Sequence, residues 1–350
     1  MGQDKKTGTE NKYRKLNHQG TEDDAAVRST IIIPNYNGRD YIENCLKSLE
    51  KEPARILVVD NGSTDGSREL VAEKFPKAEL IALEHNQGFC GAVNRGIAES
   101  KTAYVILLNN DTVARRGFVR ALEAPLQQDE KIFSGAAQMI NMRKPQLIDD
   151  AGDYYCALGW AFAAGKDKGR EAYQKGRDIF AACGGACIYR RKTLSKIGVL
   201  DENHFAYLED IDLGYRARIA GYRNLYIPEA EVYHAGSASS GSRYNAFKVD
   251  LAARNSVYLV YKNMPFLQIL LNLPFLLMGY FIKTLFFIRK GFGSVYLRGI
   301  LKGMRLCVSA QGRQNRVRFK LHNLPAYVRI QWELWRNICY LEFPQNVSPK

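Results

Sequence analysis

The chain has 350 residues, 46% hydrophobic and 25% charged, which excludes a largely disordered protein and allows one large domain, with or without an appendage. The formal net charge is +14, and the stretch from Arg289 to Lys350 holds 12 basic and 2 acidic residues, so it supplies most of that excess. An anionic partner follows, either nucleic acid or membrane lipid. The seven cysteines have no regular spacing. Cys183 and Cys187 lack the second pair a zinc site needs, so reduced thiols in a cytosolic setting are expected.

Residues 1–28 read as a flexible arm, polar and of mixed charge, with no secretory signal. Asn61, Asn110 and Asn346 therefore do not read as glycosylation sites, although each begins an Asn-x-Ser/Thr triplet. The pattern then changes. Thr30 to Ile33 is a short apolar run ending in the turn cluster Pro34-Asn35-Tyr36-Asn37-Gly38. Tyr41, Cys45, Leu46 and Leu49 follow at helical spacing. Ile56 to Val59 ends in Asp60-Asn61-Gly62-Ser63, Leu80 to Leu83 leads to Asn86 and Gly88, and Tyr104 to Leu108 ends in Asn109-Asn110-Asp111. Four continuous apolar runs alternating with helices predict parallel strands buried on both faces. The polar clusters all follow strands, which gathers them on the ligand-binding edge of an open α/β sheet. Neither a G-x-G-x-x-G nor a P-loop follows the first strand, which argues against a dinucleotide or P-loop site.

Beyond Phe133 the pattern is mixed. Ile148 to Gly152 and Gly159-Trp160 lie in a loop-rich stretch, Cys183 to Tyr189 reads as a strand, and Leu208 to Asp212 opens a helix. Phe266 to Ile288 is apolar and 23 residues long, enough to span a bilayer, yet Gln268, Asn272, Pro274, Lys283 and Thr284 interrupt it. A re-entrant or surface-lying helix suits it equally. Leu297, Leu301, Met304 and Val308 then share one helical face, beside Arg298, Lys302 and Arg305.

Several residues could carry chemistry. Asp60, at a strand end, can accept a hydrogen bond from a nucleobase N–H, although an Asx-turn explains it too. Asp111 can bind a hard cation that offsets diphosphate charge, or cap a helix. His234 would supply the second ligand beside Asp111, and imidazole plus carboxylate suits Mn²⁺ or Mg²⁺. Glu209, Asp210 and Asp212 complement a helix start, and Asp212 can pair with Arg216. Glu209 and Asp210 are adjacent, and a cap does not need both.

The motifs IIIPNYNG (31–38), VVDNGSTDGS (58–67), NQGFCGAVNRGI (86–97), LLNNDT (107–112), GACIYR (185–190), LEDIDLGYR (208–216), VYHAGS (232–237) and Arg254-Asn255 together resemble the family 2 glycosyltransferases. Within that family they are most similar to bacterial enzymes that add rhamnose or related sugars to cell-envelope polysaccharides. The resemblance spans residues 29–262. It implies a GT-A α/β fold, Rossmann-like and mainly parallel, followed by a membrane-associating region over 263–350. It also implies that Asp60 reads the nucleobase with Pro34, Tyr36 and Asn37 around it, and that Asn61, Asn86, Gly88, Asn94 and Asn110 lie about the nucleotide sugar. Asp111 stands at the last acid of the family's D-x-D, with His234 closing the metal site. Asp210, next to Glu209, matches the catalytic base. Asp149, Trp160 and Asp212 are expected at the acceptor or donor sugar.

The expected reaction is an inverting hexosyl transfer from a dTDP- or UDP-sugar to a lipid-linked or polysaccharide acceptor at the cytoplasmic face of a membrane. The basic tail, lying beside an apolar stretch, favours anionic lipid over nucleic acid. A sugar nucleotidyltransferase is an alternative, but it would need a Gly-rich basic loop after the first strand. A non-catalytic sugar-nucleotide binder is another, and the Glu209-Asp210 pair argues against it.

Overall fold

The computed structural model describes residues 27–236 and 244–341; nearly all of the arm expected over 1–28 lies outside them. The first half alternates strands and helices: β1 (Ser29–Asn35), α1 (Arg39–Leu49), β2 (Arg55–Asp60), α2 (Ser67–Lys74), β3 (Glu79–Ala82), α3 (Gly88–Glu99), β4 (Tyr104–Leu108), β5 (Thr112–Ala114) and α4 (Phe118–Gln128). A strand-rich part follows: β6 (Ile132–Asn141), β7 (Ile148–Asp150), β8 (Asp153–Tyr155), β9 (Ala161–Ala163), β10 (Arg177–Ile179) and β11 (Ala186–Arg190). Then come α5 (Arg191–Ile197), α6 (Glu209–Ile219) and β12 (Arg223–His234), and the chain closes on helices α7 (Ala246–Asn263), α8 (Phe266–Arg289), α9 (Gly293–Val308), α10 (Ala310–Gln314) and α11 (Leu324–Arg336).

The main sheet runs β10-β12-β6-β11-β4-β1-β2-β3, with β5 and β7 paired at its side. β3, β2, β1 and β4 are parallel, and they are the four apolar runs of the sequence. In β1 and β4 those runs are buried on both faces: Ile31, Ile33 and Ile106 pack on the α1–α4 side, while Ile32, Val105 and Leu107 pack toward α3. β11 is antiparallel to both its neighbours, so the sheet is mixed. The chain after α6 forms a single long strand, β12, whose pairing with β6 is interrupted between Ile227 and Glu231. Beyond that irregularity the pairing continues to the end of both strands, where His234, the last residue of β12, lies opposite Asn141.

Two segments fix the ground beneath the site. β8 and β9 form a hairpin whose turn packs on the C-terminal helices: Ala157 N–H donates to Leu334 O, and Asn337 Nδ2 donates to Tyr155 O at 2.9 Å. The segment before α6 holds three non-glycine residues at positive φ, Phe205, Tyr207 and Leu208, a backbone that needs outside support. Asn255 on α7 supplies it, donating to the carbonyls of His204, Ala206 and Tyr207 at 2.7–2.9 Å. Arg254 donates to Asn203 and His204 carbonyls.

Candidate active site

The C-terminal ends of β1, β2 and β4 are laced together by amide side chains. Asn35 Nδ2 donates to Asp60 Oδ1 at 3.0 Å, and the Ser63 N–H donates to Asp60 Oδ2 at 3.1 Å. Asn110 Nδ2 donates to Asn35 Oδ1 at 2.8 Å. Gly38 lies against this pair, where a Cβ would fall 2.0 Å from Asn110 Nδ2, so a side chain there would break the lacing. Asn61 performs the same task one loop further on, donating to Asn86 Oδ1 and Gly88 O at 3.0 Å and accepting from Gln87 N–H at 2.8 Å. Pro34 is half-buried here, while Tyr36 and Asn37 are exposed at the mouth. Asp60, Asn61, Asn86, Gly88 and Asn110 are thus gathered with the β1 turn, as expected. Asn94 is not with them. Its side chain is spent on Leu200 and Glu202, tying α3 to the segment before α6.

A second group lies beyond β4. His234 Nδ1 is 2.7 Å from Asp149 Oδ2, and its Nε2 is 3.3 Å from Asp111 Oδ1. Lys166 pairs with the other Asp149 oxygen. Burial alone would lower the His234 imidazole, but its bonds to the two carboxylates outweigh this and raise it to about 9. Asp149, expected at a sugar, instead orients the histidine. Nε2 of His234 and Oδ1 of Asp111 form a hard, mixed donor pair whose separation is close to the ~3 Å between neighbouring ligands of an octahedral ion with ~2.1 Å bonds. Carboxylate, imidazole and the Asp149 bond behind it have the chemistry of a divalent-cation site, so these residues fit the expected Mn²⁺ or Mg²⁺.

The third group is acidic. Asp210 opens α6, close to the bare backbone of Gly184-Gly185, whose Gly184 N–H faces Asp210 Oδ2 at 3.4 Å. Asn109 N–H bonds Gly185 O in turn, so this strip separates Asp210 from the β4 end. Burial raises the Asp210 carboxyl, partly offset by the Ile211 and Gly184 N–H groups. Burial, and then the charge of Asp210, pushes Glu209 up to about 8. Asp150 and Asp153 add two more buried carboxyls facing the same centre, with Asp150 pushed up by burial to about 7. With Cys183 they form a tight donor cluster. Burial holds the Cys183 thiol well above its ordinary range. A soft sulfur donor suits Mn²⁺ or Mg²⁺ less well than carboxylate and imidazole, so the cation site is better placed at Asp111 and His234. Sequence reasoning missed Asp150, Asp153 and Lys166. Asp150 and Asp153 flank Gly152 in the loop-rich stretch, and no periodicity marks them.

Asp212, expected at a sugar, is fully buried behind the site. Arg216 and Lys262 lie 2.8 and 2.9 Å from its Oδ2, and Asn263 donates to Oδ1 at 2.8 Å. Burial would raise this carboxyl, but the two cations outweigh it and hold it far below the usual range. Lys262 also pairs with Asp201 at 2.7 Å, so Asp212 anchors α7 to α6. Trp160 is turned toward α8, donating to Gly279 O at 3.2 Å with Lys283 over its ring.

The sheet, with its ligand edge at β1, β2 and β4 and acids on the far side, is the GT-A glycosyltransferase fold. A structure of GalNAc-T7 with UDP, GalNAc and Mn²⁺ aligns with a TM-score of 0.55 and 16% identity, covering 67% of this chain and 48% of that one. Residues 30–198 match the family described as Glycosyl transferase family 2, and the chain carries that domain. Among relatives, an N-acetylglucosaminyl-diphospho-decaprenol L-rhamnosyltransferase of Mycobacterium tuberculosis is 27% identical over 239 residues, covering 60% of this chain and 77% of the relative. A poly-beta-1,6-N-acetyl-D-glucosamine synthase of Staphylococcus aureus is 24% identical over 212 residues, 57% of this chain and 48% of the relative.

Proposed function

We propose that the protein is an inverting hexosyltransferase that moves rhamnose or a related sugar from a dTDP- or UDP-sugar to a hydroxyl of a lipid-linked or polysaccharide acceptor. It would act in cell-envelope glycan synthesis at the cytoplasmic face of a membrane. The observation that carries this reading is the order of groups around one sheet edge: the Asp60 pocket, the Asp111–His234 pair, then half-buried Asp210 across the Gly184-Gly185 strip. The resemblance to a rhamnosyltransferase that acts on a lipid-linked sugar adds the donor and acceptor class.

In this mechanism Asp60 accepts from the pyrimidine ring N–H, with Asn35 and Ser63 holding its oxygens in place. Asp111 and His234 would hold Mn²⁺ or Mg²⁺, and such an ion would supply positive charge against the diphosphate. Asp210 takes the proton of the acceptor hydroxyl as that oxygen attacks the anomeric carbon from the face opposite the diphosphate. A carboxyl raised by burial holds that proton more readily than a solvated one. Asp150, Asp153 and Glu209 keep the pocket anionic or proton-sharing, suited to sugar hydroxyls.

The test is a donor panel. The protein is incubated with dTDP-rhamnose, UDP-hexoses, Mn²⁺ and a polyprenyl-diphospho-N-acetylglucosamine acceptor, and products are read by mass spectrometry. Addition of one deoxyhexose or hexose to the acceptor is expected. Binding of donor with neither transfer nor hydrolysis across the panel would favour a non-catalytic binder.

A further inference from the structure

α8 is built inside-out. Gln268 and Asn272 point inward and are buried: Tyr215 donates to Gln268 Oε1 at 2.9 Å, and Asn272 exchanges two 2.8 Å bonds with Gln331 of α11. The outward arc holds Phe266, Leu267, Leu270, Leu277, Phe281 and Ile288, each more than half exposed. A helix on a water-soluble surface shows the reverse pattern, and so large an apolar face marks contact with lipid or protein.

The inner side of α8 is held to the globular body along almost its whole length. Gln268 and Asn272 fix the first turns. At the middle, Gly279 lies so close to the β8–β9 hairpin that a Cβ would fall 2.1 Å from Leu158 O, and Trp160 bonds the Gly279 carbonyl. Near the end, Phe287 stacks on Tyr296 of α9 at 4.9 Å. A helix fastened this way cannot cross a bilayer without taking the polar body with it.

We infer that α8 does not span the membrane but lies in the plane of an anionic bilayer, its apolar arc in the acyl boundary. Charge selects lipid as the occupant. No acidic residue occurs between 266 and 320, and Arg289, Arg298, Arg305, Arg313 and Arg318 are exposed along α8's end, α9 and the segment beyond. Exposed Leu297, Leu301, Met304 and Val308 stand among them on α9. An apolar face together with basic side chains gives the two attachments that stable surface binding needs. The same helix is linked to the acid pocket by one short piece of chain, from Trp160, which bonds Gly279 of α8, back to Asp153. A lipid-carried acceptor would thus meet the acids from the membrane side, a consequence that rests on the function proposed above.

Spin labels at positions 270, 277, 281 and 288, in a Cys339→Ser background that removes the exposed cysteine, decide the matter on vesicles of phosphatidylcholine with phosphatidylglycerol. Positions 270 and 288 are about 27 Å apart along a helix, nearly the ~30 Å hydrocarbon thickness. Equal, shallow depths at all four, with flotation weakened about tenfold or more by Leu277→Glu with Phe281→Glu and by high salt, are expected. A graded depth from one surface to the other would overturn the inference in favour of a span. Labels shielded from both water and lipid would overturn it in favour of a protein partner, and labels left in water would remove the membrane. UDP and dTDP titrations on the same samples report separately on the glycosyltransferase reading.

Discussion

Asp149 Oδ2 lies 2.7 Å from His234 Nδ1, and this bond turns the opposite ring nitrogen toward Asp111. A bond of this kind fixes the tautomer and the ring angle of a metal-binding histidine. Asp149→Ala is therefore expected to weaken Mn²⁺ binding about 10–100-fold, read by Mn²⁺ electron paramagnetic resonance without substrate. Unchanged affinity would return Asp149 to a sugar-contacting role.

Asp212 neutralises two buried cations, Arg216 and Lys262. Removing one partner of such a cluster typically costs about 3–5 kcal/mol. Asp212→Asn should lower the thermal midpoint by many degrees, while material that stays folded keeps most of its turnover. A variant of normal stability with turnover abolished would place Asp212 in the chemistry.

The parallel strands and the ligand edge were legible because buried parallel strands require continuous apolar runs, and Ile31–Ile33, Val58–Val59 and Tyr104–Leu108 are such runs. Asp60, Asp111 and Asp210 were legible because each ends or opens an element. Asp212 was misread because its partners Lys262 and Asn263 lie 50 and 51 residues away in sequence. At short range only the Arg216 pairing was visible, and a helix-start acid looks alike whether it faces a substrate or an anchoring lysine. The Asp149–His234 bond was hidden for a similar reason, since the two lie 85 residues apart. Trp160 was expected at a sugar, and its α8 partner Gly279 lies 119 residues on. The interruptions Gln268 and Asn272 weakened the reading of 266–288 as a membrane span. Paired inward, they turn out to fix its orientation.

Asn255 supports the strained turn before Asp210. Asn255→Ala leaves three carbonyls, that of buried His204 among them, without that donor and should cost about 1–3 kcal/mol. Turnover should fall with little change in donor affinity, because the Asp60 pocket does not touch Asn255. A loss of donor affinity as large as the loss of turnover would contradict this.

His204 is fully buried, and among the described residues neither ring nitrogen has a hydrogen-bond partner. Burial lowers it to about 4, against about 6.5 in the unfolded chain. The folded state prefers the neutral ring, so its stability contribution is complete above pH 6.5 and is lost as pH falls toward 4. His204→Leu should therefore narrow the difference in melting temperature between pH 7.5 and pH 5. Comparing variant with wild type at each pH cancels the opposite trend expected from the raised carboxyls at Asp150 and Glu209. An undiminished difference would show that other groups set the acid sensitivity.

The central claim is that Asp210 is the base, acting on the acceptor and not holding the donor. Asn has nearly the same shape but cannot take the proton. The most direct measurement is sugar-nucleotide affinity by calorimetry, alongside turnover, for Asp210→Asn with folding checked by circular dichroism. Donor affinity nearly unchanged with turnover reduced about 10²–10⁴-fold is the predicted result. Turnover within a few-fold of wild type, or donor binding lost together with activity, would contradict it.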